Sequence, residues 1–171
     1  MFTPTERELV VAYLRERMPH FYKGQPIEAA CLYWAGLVCA HLTKVHGIRT
    51  ILQAGTMQWP CVAEDDGVSP THFSYVWEPD SEVTRAMLRL NHMPEMHVWA
   101  AVPSRNEIID LTTRYLVEQA KHRAGLEWSA APPPDFLWCR ADALPAGVRY
   151  KPAYEATLWA ARALAAASRH A

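Results

Sequence analysis

Cys31, His97 and Asp110 are the residues of this 171-residue chain whose types and order fit one piece of chemistry, attack by a thiol nucleophile. A thiol needs a base to take its proton, and the base needs a group that fixes its tautomer and orientation. The pattern around the histidine supplies that geometry. Met96 to Val102 and Glu107 to Leu111 read as two strands joined across Pro103-Ser104-Arg105-Asn106. A four-residue loop at 103–106 pairs Val102 with Glu107, and a two-residue loop at 104–105 pairs Pro103 with Asn106. Both give one register, with Trp99 opposite Asp110. Side chains alternate between faces, so His97, Trp99 and Asp110 then share a face. His97 and Asp110 become diagonal neighbours about 7–8 Å apart at Cα, a gap that an imidazole and a carboxylate bridge. A three-residue loop would send Asp110 to the opposite face. Cys31 falls near the start of a helix, where free N–H groups and the positive dipole end favour a thiolate.

Each of these residues has a rival use. Asp-Leu-Thr-Thr at 110–113 is a serviceable helix entry, and a carboxylate that caps that helix is not expected to orient His97 as well. His72 is the competing base, since it also opens a strand, but no hairpin carboxylate follows it. His92, Glu95 and His97 lack both helical i, i+4 spacing and a third ligand, so no metal is expected. Cys39, Cys61 and Cys139 show no C-x-x-C pattern and are expected to be small buried hydrophobes rather than disulfide or zinc residues.

The elements that must position these groups follow from periodicity. Thr3-Pro4-Thr5-Glu6 reads as a capping box, and the helix after it carries Leu9, Val10, Tyr13, Leu14 and Met18 as an apolar stripe. A second helix, about Ile27 to His46, is apolar nearly all round and therefore central, and Gly47 ends it. Arg49 to Gln58 is a strand, Cys61 to Pro70 an acidic loop, and His72 to Trp77 another strand. Asp80 or Ser81 caps a short helix to about Leu90, closed by Asn91. After the hairpin, Thr112 or Thr113 opens a helix ending near Gly125. Ala130 to Asp135 is a proline-rich loop, and Pro152 starts an alanine-rich helix through Ser168. Too little follows residue 130 for a second core, so residues 1–171 read as a single domain with a C-terminal helical extension. Helices come first, then mostly strands, then helices, so the class is α+β with an antiparallel sheet.

Three stretches carry a resemblance. Cys31-Leu32-Tyr33-Trp34-Ala35 with Leu42, then Gly47-Ile48-Arg49-Thr50-Ile51-Leu52-Gln53-Ala54-Gly55, resembles the helix and strand of the transglutaminase-like (papain-like) cysteine hydrolase and acyltransferase superfamily. His97-Val98-Trp99-Ala100-Ala101-Val102 resembles that family's histidine strand, and Ile109-Asp110-Leu111-Thr112 the strand that supplies its aspartate. The likeness covers about residues 27 to 113. It implies a central buried helix packed on an antiparallel sheet and a catalytic Cys31–His97–Asp110 triad. The 66 residues from Cys31 to His97 exceed a minimal core, and the His72 strand and the 81–90 helix account for the excess as an insertion. Gln25 lies six residues before Cys31, as the oxyanion glutamine of papain-like proteases does. Trp34 and Trp99 are the tryptophans expected near the site.

The implied function is acyl transfer on an amide or peptide bond, as a cysteine peptidase or amidase. A transglutaminase or acyltransferase with an amine acceptor is the alternative, and a catalytically silent peptide-binding module of the same fold is a second. A leader-peptide protease of the lasso-peptide maturation type shares this core, and an arylamine-type acyltransferase would use coenzyme A with a longer chain. No cofactor is implied, and the oligomeric state is not legible. The expected substrate is a peptide or protein, or a small amide. Net charge is −1, from 17 basic and 18 acidic residues without a lysine/arginine block, so nucleic acid and anionic membrane surfaces are disfavoured partners. With no signal-like or membrane-length apolar run, the expected compartment is the cytoplasm.

Overall fold

A computed structural model describes residues 2–21, 30–62, 71–90 and 92–167. The first helix, α1 (Pro4–Phe21), starts as its capping box dictates. The Thr3 hydroxyl accepts from the Glu6 N–H (3.2 Å), and the Glu6 carboxylate accepts from the Thr3 N–H (2.7 Å). Its buried stripe is Val10, Val11, Leu14 and Met18, whereas Leu9 and Tyr13 are exposed. The apolar face is therefore turned toward Val11 relative to the expected one, because that is the side that meets the next helix. This is α2 (Ala30–His46), buried along Cys31, Leu32, Trp34, Ala35, Leu37, Val38 and Leu42. The expected start of this helix at Ile27 lies outside the described residues. Gly47 ends α2 in the left-handed region (φ 64), and the Ile48 N–H returns to the Leu42 carbonyl (3.0 Å).

Six antiparallel strands follow: β1 (Ile51–Pro60), β2 (His72–Tyr75), β3 (His97–Val102), β4 (Glu107–Asp110), β5 (Leu137–Arg140) and β6 (Arg149–Pro152). Their order is β2-β1-β3-β4-β5, with β6 also paired to β1. Three further helices are described: α3 (Glu82–Arg89), α4 (Leu116–Ala124) and α5 (Tyr154–Ala167). The architecture is thus mixed helix and antiparallel sheet. Central β3 is buried at all six positions, so both faces of the sheet are covered there. Ala100, Val102 and Ile109 pack under α2 against Trp34, Leu37, Val38 and Leu42. Trp99 and Ile108 pack on the other face with Met57, Phe73, Leu116 and Leu137. Each large side chain buried this way stabilises the fold by roughly 1.5–3 kcal/mol.

Two expectations are corrected in the C-terminal third. The segment after residue 130 is not only helical, since it contributes β5 and β6 to the sheet. Pro152 does not open the last helix; it is the final residue of β6, opposite Gly55, and α5 begins at Tyr154. A side chain at Gly55 would place its Cβ 2.2 Å from the Lys151 carbonyl oxygen. Glycine there is what lets β6 lie against β1.

Candidate active site

The β3–β4 hairpin has the register that its loop length dictates, with Val102 opposite Glu107, Ala101 opposite Ile108 and Ala100 opposite Ile109. A 3₁₀ turn at Pro103–Arg105 and a left-handed Asn106 (φ 54) make the connection. His97 and Asp110 consequently fall on one face, and His97 Nε2 meets Asp110 Oδ2 at 2.6 Å with both side chains almost fully buried.

Asp110 orients His97 and caps no helix, since the helical segments after it have no side-chain cap; its second oxygen closes a turn at Thr112 instead. Oδ1 accepts from the Thr112 N–H (2.8 Å) and hydroxyl (2.6 Å), fixing the turn into the next helical segment. Oδ2 accepts from His97 and from the Tyr150 hydroxyl (2.7 Å). A buried carboxylate is stable only when its lone pairs are answered, and here four donors answer them. Burial opposes ionisation of Asp110, but His97 and the hydrogen bonds from Thr112 and Tyr150 outweigh it and hold the carboxyl below its ordinary range. The Tyr150 phenol is pushed well above its ordinary value by burial and by Asp110, so it remains a donor.

An ionised carboxylate accepts only, which makes His97 Nε2 the donor and leaves Nδ1 for another partner. Nδ1 is buried and makes no completed hydrogen bond. Besides Asp110, the group that acts on this ring is the Cys31 thiol, which favours the protonated imidazole. Burial disfavours the imidazolium, but Asp110 and Cys31 together raise His97 from 6.5 to about 10. Cys31 packs with Met96 and Val98, the residues that flank His97.

Cys31 and His97 open onto a cavity of about 430 Å³, whose walls include Tyr75 of β2 and a face of α4. Leu116 and Ala120 anchor α4 in the interior. The helical period then turns Gln119, His122 and Arg123 toward the cavity. The Tyr75 ring lies 5.2 Å from that of His97. A neighbouring, mostly apolar cavity of about 360 Å³ is lined by Met18, Trp34, Tyr115 and others.

The remaining candidates separate. Trp34 lines that second cavity and packs under the sheet. Trp99 does not line the cavity at Cys31; it stacks behind His97 (6.3 Å, 19° between planes), and its indole N–H donates to Gln53 Oε1 (3.0 Å). His72 sits opposite Pro60 in the β1–β2 pair and does not line the cavity at Cys31. Gln25 lies outside the described residues. Cys61 is buried and Cys39 and Cys139 half-buried; burial pushes all three thiols up, Cys39 to about 12. Among the described residues no cluster of three or more His, Cys, Asp or Glu could hold a metal, and no helix is long and apolar enough to cross a membrane.

Tyr75, Tyr150 and the α4 wall were not singled out by sequence. Tyr75 carried a usable signal, since it ends an alternating strand, and the α4 face follows from the Leu116/Ala120 period. Tyr150 carried none, being one tyrosine in a four-residue strand 40 positions after Asp110. No protein family, curated protein or solved structure matches the chain.

Proposed function

We propose that this chain is a thiol-dependent acyl-transfer enzyme with a transglutaminase-like (papain-like) core, acting on an amide or peptide bond as a cysteine peptidase or amidase. One observation carries the reading: a buried His97 Nδ1 makes no completed hydrogen bond, Cys31 lines the same cavity and acts on the same ring, and Nε2 is committed to an ionised Asp110. A nucleophile awaiting a substrate accounts for a histidine nitrogen left without a partner on a cavity wall.

The steps follow from the proton positions. Nδ1 of His97 takes the Cys31 thiol proton, Sγ attacks the carbonyl carbon, and the carbonyl π pair moves to oxygen. His97 then gives its Nδ1 proton to the amide nitrogen as the C–N bond breaks, releasing the amine and leaving a thioester on Cys31. Water, or an amine, loses a proton to Nδ1 as it attacks the thioester, and the thiol or thiolate is regenerated. Asp110 stays ionised throughout and stabilises the imidazolium that precedes loss of the amine and forms again when water or an amine attacks the thioester.

Alkylation with iodoacetamide at stepped pH, read by mass spectrometry of the folded protein, tests the core of this reading. A protonated imidazole beside a thiol favours the thiolate, so labelling at pH 6 is expected at Cys31, ahead of Cys39, Cys61 and Cys139. Equal, slow labelling of all four would remove the enzyme reading and leave the peptide-binding module. Incubating a peptide mixture with and without a fluorescent primary amine then separates hydrolysis from amine transfer.

A further inference from the structure

Resting on the acyl-transfer reading, we infer that Arg123 selects substrates that carry a carboxylate beside the reacting amide. The Arg123 guanidinium stands 4.8 Å over the Tyr75 ring, which also packs against Phe73 and the His97 imidazole, each at 5.2 Å. Cys31, Tyr75 and Arg123 line the same cavity; burial raises the Tyr75 phenol, and Arg123 acts against that rise. A permanent cation is therefore held one phenol away from the nucleophile, on the wall of the same cavity.

Of the other ionisable side chains of α4 on that wall, Glu118 and His122 lie 3.8 Å from each other. The charge on His97 is matched by Asp110. Among the described residues, none of the ion pairs includes Arg123. A guanidinium over an aromatic face has five N–H donors against one phenol oxygen, so donors remain for a carboxylate, and the ring contact restrains a side chain that solvent alone would leave loose. An acidic side chain and a chain-terminal carboxylate share this chemistry.

Three alkylating probes distinguish the sources: iodoacetyl-glutamate α-amide, iodoacetyl-glutamine α-amide, and iodoacetyl-glutamine with a free α-carboxylate. The first and second have the same shape and differ by one charge. Cys31 is expected to label about tenfold faster with whichever acidic probe places its carboxylate at Arg123 than with the neutral one, the size of one charge-assisted hydrogen bond. The ratio should shrink as salt is raised. In Arg123→Gln it should collapse toward one, and Arg123→Lys should restore only part, since a lysine keeps the charge without the fork. Failure of all three probes to label Cys31 overturns the acyl-transfer reading and this inference with it. Labelling without acidic preference, or a preference that survives Arg123→Gln, overturns the inference alone.

Discussion

Asp110 Oδ2 accepts two hydrogen bonds, and removing each donor or the acceptor has a different expected signature. His97→Ala takes away the cation beside Cys31, so iodoacetamide labelling at pH 6 should slow and its pH midpoint should move upward. Asp110→Asn should act in the same direction but less, because it removes the charge that favours the imidazolium and leaves the imidazole in place. Nuclear magnetic resonance of the His97 ring should then report a titration shifted well below about 10. Tyr150→Phe removes only the phenol–carboxylate hydrogen bond of 2.7 Å. A hydrogen bond to a charged group contributes about 1.5–3 kcal/mol, so the variant should unfold at lower urea at pH 7. That deficit should narrow at a pH low enough to protonate Asp110, since the bond matters most to the ionised carboxyl. A deficit independent of pH would mean that Tyr150 is packing alone.

Tyr150 reaches Asp110 because β6 lies against β1, and Gly55 is the contact that permits it. Gly55→Ala would drive a methyl group into the Lys151 carbonyl at 2.2 Å, which neither backbone can yield without parting. Overpacking of this kind costs about 1–3 kcal/mol, and here the loss should fall on β6. Thermal unfolding should show a lowered midpoint, and hydrogen exchange should show Thr56 to Gln58 losing protection; unchanged exchange there would refute the packing argument. The glycine was visible in the sequence, inside the first strand, but its partner was not. β5 and β6 are four residues each, too short for alternation to show, and Pro152 imitates a helix start as readily as a strand end. The β3–β4 hairpin was legible for the opposite reason. Its connection is so short that the two loop lengths of matching parity give one register, and register alone decides which side chains meet. The dual use of Asp110 escaped because a carboxylate was treated as one acceptor, whereas its two oxygens face different partners.

The His97–Asp110 pair also ties the site to the stability of the entire fold, since both groups are almost fully buried on the central strands. The His97 proton affinity is raised on folding, from 6.5 to about 10. Its contribution is therefore complete below pH 6.5 and fades as pH rises toward 10. Asp110 is shifted the other way, so its contribution is present above 3.8 and is lost as pH falls through its lower folded value. Burial costs both charges their hydration, so the pair need not make the protein more stable than an apolar substitute would. What it fixes is the pH dependence. Other groups share the alkaline limb, because burial also raises Cys39, Cys61 and Cys139, and comparison with a variant cancels them. His97→Gln keeps a donor for Asp110 and removes the titration. Urea unfolding of the two proteins at stepped pH should differ most between about pH 4 and 6.5, by an amount on the order of a few kcal/mol. The difference should shrink on both sides, toward pH 10 as the imidazolium loses its proton and at low pH as Asp110 gains one. A difference that stays constant from pH 5 to 10 would mean that the imidazole is neutral throughout, and with it would go the charged pair on which the proposed thiol chemistry depends.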